Sequence, residues 1–298
     1  MSESTKLIDC ITAQAARLKQ AGVSFGHGTT NAFDEAAWLT LWSLGMPLDE
    51  LEPHAQRELT PDELTKIAGV ISERIETRRP AAYITKEAWL QNVPFYIDER
   101  SIVPRSFIAE LLADGEGDGT LDTWLSDETS RVLDLCTGNG SLAVIAAMAY
   151  PDVVVDAADI SDDALAVARI NVDKHKLAKR ITLVKSDLLS DVRGPYDLIV
   201  CNPPYVNAQS MAELPKEYQH EPSLALAGGD DGMDLVRRIL KDAPSRLSPI
   251  GVLVLEIGNE RAHFEHAFRK FEVVWLDTSA GDDQVLLVTR DSLVRWAR

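Results

Sequence analysis

The 298-residue chain is short of positive charge: 30 lysines and arginines face 47 aspartates and glutamates, a formal net charge of −17. Nucleic-acid affinity rests mainly on basic side chains neutralising phosphates. The balance therefore argues against stable DNA or RNA binding and favours a basic partner, such as a cationic protein. The acidity is spread along the chain, with 9 basic against 14 acidic residues in 1–98 (−5) and 21 against 33 beyond (−12). Cysteine is scarce too. Cys10, Cys136 and Cys201 are too few and too scattered for a disulfide framework or a zinc knuckle. Cys136 and Cys201 sit in strand-like runs and read as small buried apolar side chains. Long apolar runs are missing: the longest, Leu142 to Tyr150, has nine residues, whereas a membrane span needs about 20. The opening MSESTKLIDC has no basic stretch followed by an apolar one, so no secretory signal and a cytoplasmic location are expected. No internal repeat or low-complexity tract is evident.

What remains is ordinary globular material, 45% apolar and 26% charged, long enough for two compact units at about 100–200 residues each. Residues 1–80 read as helical. Apolar spacing through Leu7, Ile8, Ile11, Ala15 and Leu18 has the helical period, as does Phe33 to Leu44. Thr60-Pro61-Asp62-Glu63 is a helix start with a capping box and proline at the first position, and that helix should run to about Arg78. Residues 81–100, with AAYITKEAWLQNVPFYID, read as a β-hairpin around a Gln91-Asn92 turn. Residues 101–298 form the third part. There a helical piece from Arg105 to Leu112 leads to GEGDG at 115–119, the most linker-like stretch. Beyond Arg131, apolar β-rich runs (RVLDLC, VVVDAAD, ITLVKSD, YDLIVCN, VLVLEIG, VVWLDT, QVLLVTR) alternate with helical segments. That alternation predicts an α/β fold, a mostly parallel seven-stranded sheet with helices on both faces. The last two runs are separated only by SAGDD, too short for a helical crossover, so the last strand should be antiparallel.

Two motifs carry chemistry. The first is Asp134-Leu-Cys-Thr137-Gly138-Asn-Gly140-Ser-Leu-Ala143, between the first strand of the sheet and the next helix. Gly138 and Gly140 permit a tight turn and close backbone approach to a ligand, with amides at the helix start pointing outward. Asp159 follows about 20 residues on at the end of the second strand, where a carboxylate can accept both ribose hydroxyls. The spacing alone does not separate a dinucleotide from another adenosine ligand. Asp134 tips the balance: a carboxylate four residues before Gly138 suits the sulfonium and ammonium of S-adenosylmethionine and would repel a pyrophosphate.

The second is Asn202-Pro203-Pro204-Tyr205, directly after YDLIVC. At ordinary composition this tetrapeptide arises by chance at roughly 10⁻⁵ of positions or fewer. It stands at the carboxyl end of a central strand, where open α/β sheets bind ligands. The Asn202 side-chain carbonyl and the Pro203 backbone carbonyl can accept the two N–H bonds of a planar NH₂ group. The prolines carry no competing N–H and fix the acceptors, and Tyr205 can pack on a flat substrate. The chemistry indicated is methylation of an amide or exocyclic amine, with Asn202, Pro203, Pro204 and Tyr205 as the catalytic group.

On these motifs the chain resembles a Rossmann-like class I S-adenosylmethionine-dependent methyltransferase, and more narrowly the HemK-like protein-glutamine methyltransferases, over nearly its whole length. LDLCTGNGSLA, the acid in DAADIS, NPPY and HEPSLALAGGDDGMDLVRRIL all fall in that family's positions. The resemblance implies a small helical substrate-recognition domain and a hairpin before the catalytic domain. It places Thr137, Gly138 and Gly140 at the methionine end of the cofactor, Asp159 on the ribose and Asp187 near the adenine. Asn202 and Pro203 would grip a glutamine amide with Tyr205 beside it, and Arg105 would lie near the cofactor entrance. Where the release-factor branch usually reads PRPET, this chain has Ile102-Val103-Pro104-Arg105-Ser106. With the FGHGTTNAFDEA stretch at 25–36, that departure resembles the branch whose substrate is the basic large-subunit ribosomal protein L-three.

Three readings stay open on the residues. Release factors are an alternative protein substrate. An adenine or guanine amino-methyltransferase also uses such a tetrapeptide, against the missing basic stripes. A dinucleotide-binding oxidoreductase fits the glycine spacing but leaves NPPY without a role. His263 and His266, three apart on a helix-like segment, have no third partner and read as a solvated face; no metal site is expected. His27 among glycines reads equally as a substrate-recognising loop or a plain turn.

Overall fold

The computed structural model describes residues 5–113, 120–126 and 128–296, so the glycine-rich 115–119 stretch lies outside the described residues. Two compact units divide the chain. One comprises Met1–Ala88 with Leu214–His220, the other Trp89–Glu213 with Glu221–Arg298.

The first unit is helical: α1 (Leu7–Gln20), α2 (Ala32–Ser43), α3 (Leu51–His54), α4 (Pro61–Thr77) and α5 (Ala81–Thr85). The capping box at the start of α4 forms as the sequence predicts, with Thr60 and Glu63 bonded reciprocally and Pro61 inside the first turn. Leu7, Ile11, Leu18, Leu39, Ile67 and Ile71 bring the apolar stripes of α1, α2 and α4 into one core. Within that core lies a polar cluster. The Arg74 guanidinium is fully buried; its Nε donates to Glu35 (2.9 Å), its Nη1 to Glu217 (3.3 Å) and its Nη2 to the Ser24 carbonyl (2.9 Å). Burial pushes the Glu35 carboxyl up, against the pull of Arg74. His27 is buried as well, its ring 4.3 Å from that of Tyr218, so it offers no recognition surface.

The expected hairpin is shorter than the pattern over 81–100 suggested. Ala81–Thr85 is helical, and pairing is confined to β1 (Glu87–Leu90) and β2 (Val93–Tyr96). Pro80 stands at the N-cap of the short helix, and its fixed φ is compatible with a helix start. Lys86, left-handed, ends that helix. Gln91 and Asn92 both take positive φ, the geometry that two-residue hairpins require.

The second unit adds α6 (Ile108–Ala113), β3 (Arg131–Leu135), α7 (Ser141–Ala149), β4 (Val154–Asp159), α8 (Asp162–Lys174), β5 (Ile181–Lys185) and β6 (Tyr196–Cys201). After these come α9 (Ala208–Glu213), α10 (Asp234–Asp242), β7 (Leu247–Glu256), α11 (Arg261–Ala267), β8 (Val274–Thr278), β9 (Gly281–Thr289) and α12 (Arg290–Trp296). The seven-stranded sheet runs β5-β4-β3-β6-β7-β9-β8, parallel throughout except for β9, antiparallel to both neighbours. Alternation splits each central strand between two cores. Val132, Leu198, Val200, Val252 and Val254 face one, while Leu133, Leu135, Ile199, Leu253 and Leu255 face the other. Both faces are covered, which is why the strands read as nearly continuous apolar runs.

Candidate active site

The strand order reverses between β3 and β6, and the ligand crevice of an open α/β sheet opens at such a point, beyond the carboxyl ends of the strands. A cavity of about 310 Å³ lies there, in the second unit alone, lined by the loops after β3, β4, β5 and β6.

The loop after β3 is shaped by Asp134. Its buried Oδ2 accepts from the Thr137 hydroxyl (2.5 Å) and from the Ala143 N–H of α7 (2.9 Å). Burial raises this carboxyl to about 7, the Thr137 and Ala143 bonds opposing the rise. Gly138, at φ +55°, donates its N–H to Asp159 Oδ2 (2.9 Å), and Ser161 N–H meets the other carboxylate oxygen (2.9 Å). Burial also raises Asp159, against the pull of these amides. Thr137, Gly138, Asp159, Asp187, Asn202 and Pro204 line the cavity; Asp134, Gly140, Pro203 and Tyr205 are not among its lining residues. Gly140 lets α7 approach α8, since a Cβ there would come within 3.1 Å of Ala168 Cβ. Asp187 stands at the rim, bonded to Arg238 (2.8 Å). Arg105 is also at the cavity, in a bidentate pair with the buried Glu221 (both bonds 2.7 Å) that pins the IVPRS segment to the start of EPSLAL.

The donor set suits an adenosine ligand with a cationic end. A carboxylate with remaining lone pairs faces the cavity at Asp159, between apolar walls that include Leu142 and Ala164. Asn139 lines it too, with a buried side-chain NH₂ that no protein acceptor meets, a group that a bound ligand would satisfy. Among the described residues no group of three or more His, Cys, Asp or Glu side chains is placed to hold a metal ion. His263 pairs instead with Glu260 on its own helical segment.

Asn202 leaves β6 and turns its side-chain NH₂ onto Glu256 Oε1 (3.1 Å). Tyr205 is held by glycines. A Cβ at Gly228 would lie 2.6 Å from Tyr205 Cα, one at Gly232 2.2 Å from its carbonyl oxygen, and one at Gly258 2.5 Å from its ring. Val206 N–H donates to the Leu226 carbonyl (2.9 Å) and Gly228 N–H to the Val206 carbonyl (2.9 Å), so ALAGG runs alongside the tetrapeptide's exit. Glu256 is the residue that the sequence reading passed over. It ends β7, is 2% exposed, and also accepts from Ser106 Oγ (2.6 Å) and Phe107 N–H (2.9 Å). Burial raises it to about 7. The available signal was a lone acid closing the apolar run VLVLE, beside the strand that ends just before Asn202.

The chain is similar to known methyltransferases. The family described as Methyltransferase small domain matches residues 117–217. A protein from Burkholderia pseudomallei named ribosomal protein uL3 glutamine methyltransferase is 52% identical over 295 residues, 96% of this chain and 94% of the relative. Its namesake from Bordetella pertussis is 51% identical over 98% of this chain and 97% of its own length. One from Bradyrhizobium diazoefficiens is 44% identical over 98% and 92%. Among solved structures, the hMettl16 catalytic domain in complex with MAT2A 3′UTR hairpin 6 is similar at a TM-score of 0.50. It is 16% identical, covers 78% of this chain and 84% of its own, and supports the class I methyltransferase fold alone.

Proposed function

Because the chain belongs to the family of ribosomal protein uL3 glutamine methyltransferases, we propose that it methylates a glutamine side-chain amide of that ribosomal protein, in the cytoplasm and with no nucleic acid as acceptor. S-adenosylmethionine, when bound, supplies a methyl group on a sulfonium centre. Asp159, the Gly138 loop and Asn139 would hold it, with Thr137 and Asp134 shaping that loop and Asp187 at the rim.

The observation that carries the reading is that Asn202 lines the cavity with its NH₂ taken by Glu256, which leaves its carbonyl for the substrate. A glutamine amide nitrogen is a weak nucleophile, since its lone pair is delocalised into its carbonyl. The Asn202 side-chain carbonyl and the Pro203 backbone carbonyl accept its two N–H bonds, draw positive character onto the hydrogens and orient the nitrogen. Neither proline has an N–H to compete, and Tyr205, braced by its glycines, holds the turn. The displaced N–H proton passes to water. Residues 1–80 serve substrate recognition, and the net charge of −17 steers a basic protein before RNA covers it.

Methyl transfer from labelled cofactor to purified uL3, a release factor and ribosomal RNA tests this. Label in uL3, at a rate that falls with salt at low substrate, is expected. Label confined to release factor or RNA overturns it.

A further inference from the structure

We propose that Glu256 is a positioning residue that fixes which way round the Asn202 amide stands, and so decides whether the site presents an acceptor or a donor to the substrate. This rests on the amide-methylation reading above. Four donors converge on the buried carboxylate. Ser106 Oγ and Phe107 N–H meet Oε2, while Asn202 Nδ2 meets Oε1 and the Tyr205 hydroxyl stands 3.5 Å from that same oxygen. Residue 256 directly follows Leu255, which is in register with Cys201, so Glu256 and Asn202 extend paired positions of β7 and β6.

The two ends of an asparagine amide have the same shape, and its partners alone set its orientation. An ionised carboxylate offers only acceptors, so Asn202 must turn its NH₂ inward and its carbonyl outward. The Phe107 N–H is backbone and cannot reverse, which binds one oxygen of residue 256 permanently as an acceptor. A glutamine at 256 would therefore give its single oxygen to Phe107 and present NH₂ to Asn202. Asn202 would have to reverse, putting two donors where the substrate brings two more.

Protonation acts in the same direction. Oε2 already takes the Phe107 and Ser106 bonds, so a proton on the acid settles on Oε1 and faces Asn202 as a donor. Burial brings Glu256 to about 7. The other charged or titratable groups facing it are Arg105, whose cation opposes the rise, and the Tyr205 hydroxyl. Turnover should fall as pH drops through that value, on a limb belonging to this one group.

The test is E256Q, read by kcat and KM separately, with E256D as the conservative rescue. E256Q is expected to fold, to bind S-adenosylmethionine as wild type does in calorimetry, to lose about 100-fold in kcat and to lose the acid limb. E256D, keeping an acceptor-only group, should recover part of the rate. E256Q with kcat near that of wild type overturns the proposal. A second measurement needs neither cofactor nor substrate: the ¹⁵N side-chain NH₂ resonance of Asn202, assigned by its loss in N202A. It should titrate near pH 7 in wild type and shift without titrating in E256Q; a resonance that does neither also overturns the proposal. A wild-type enzyme that methylates no uL3 would sink the functional reading alone, because the resonance still decides on Glu256.

Discussion

At the carboxyl ends of β3 and β7, on either side of β6, the sheet buries one carboxylate each: Asp134 and Glu256. Both are sealed from solvent and burial pushes both to about 7, so by titration they are twins. Their partners separate them. Asp134 spends one oxygen on Thr137 of its own loop and Ala143 of the helix that follows, and its other oxygen meets no hydrogen-bond donor. Glu256 uses both oxygens and reaches Asn202, a side chain that lines the cavity. A raised pKa marks a buried acid, and only the identity of its donors tells a loop brace from a positioning group.

The largest effect expected of any substitution is that of N202A. Removing the acceptor that Glu256 orients should lower kcat by about 10³-fold while calorimetry still finds cofactor bound. Turnover within a few-fold of wild type would dissolve the contrast, since Glu256 would then be positioning nothing of consequence. D134N sharpens it from the other side. Asparagine Oδ1 can replace Oδ2 and keep both the Thr137 and Ala143 bonds, so the loop survives and kcat should stay within about threefold of wild type, far from the loss expected in E256Q. Steady-state kinetics on the two isosteric variants side by side decides this.

Stability should treat the twins alike. Each acid holds its proton in the folded protein at pH values where the unfolded chain, at about 4, has released it. The native state therefore binds more protons, and stability declines as pH rises from about 4 to about 7, then levels. D134N removes one contribution to that decline, so its melting temperature relative to wild type should climb between about pH 5 and pH 8. A difference independent of pH would show that Asp134 is not raised. The smallest effect belongs to T137V, which deletes one donor to Asp134. Denaturant titration should register a loss of about 1–2 kcal/mol and little change in kcat.

Much of this was legible in the order of residues. The alternation after Arg131 predicted the seven-stranded sheet, SAGDD its antiparallel edge, and the glycine loop and NPPY the two halves of one crevice. Local patterns of that kind record backbone geometry, which the sequence states within a few residues. AAYIT misled because its residues suit a strand, while Pro80 before it and the left-handed Lys86 after it favour a helical turn. Glu256 escaped because its meaning lies 54 positions from Asn202 and exists only once β6 and β7 are paired. The same holds for Arg74, whose partners Glu35 and Glu217 stand 39 and 143 positions away.

That last pairing bears on portability. Residues 214–220 belong to the helical unit, although they are encoded within the stretch that builds the sheet. The helical unit is thus not a cassette that can be clipped off after Ala88 and grafted elsewhere: the excised piece would carry Arg74 with half its carboxylates left behind. A unit wired this way can be moved only together with the chain that lies between its two pieces.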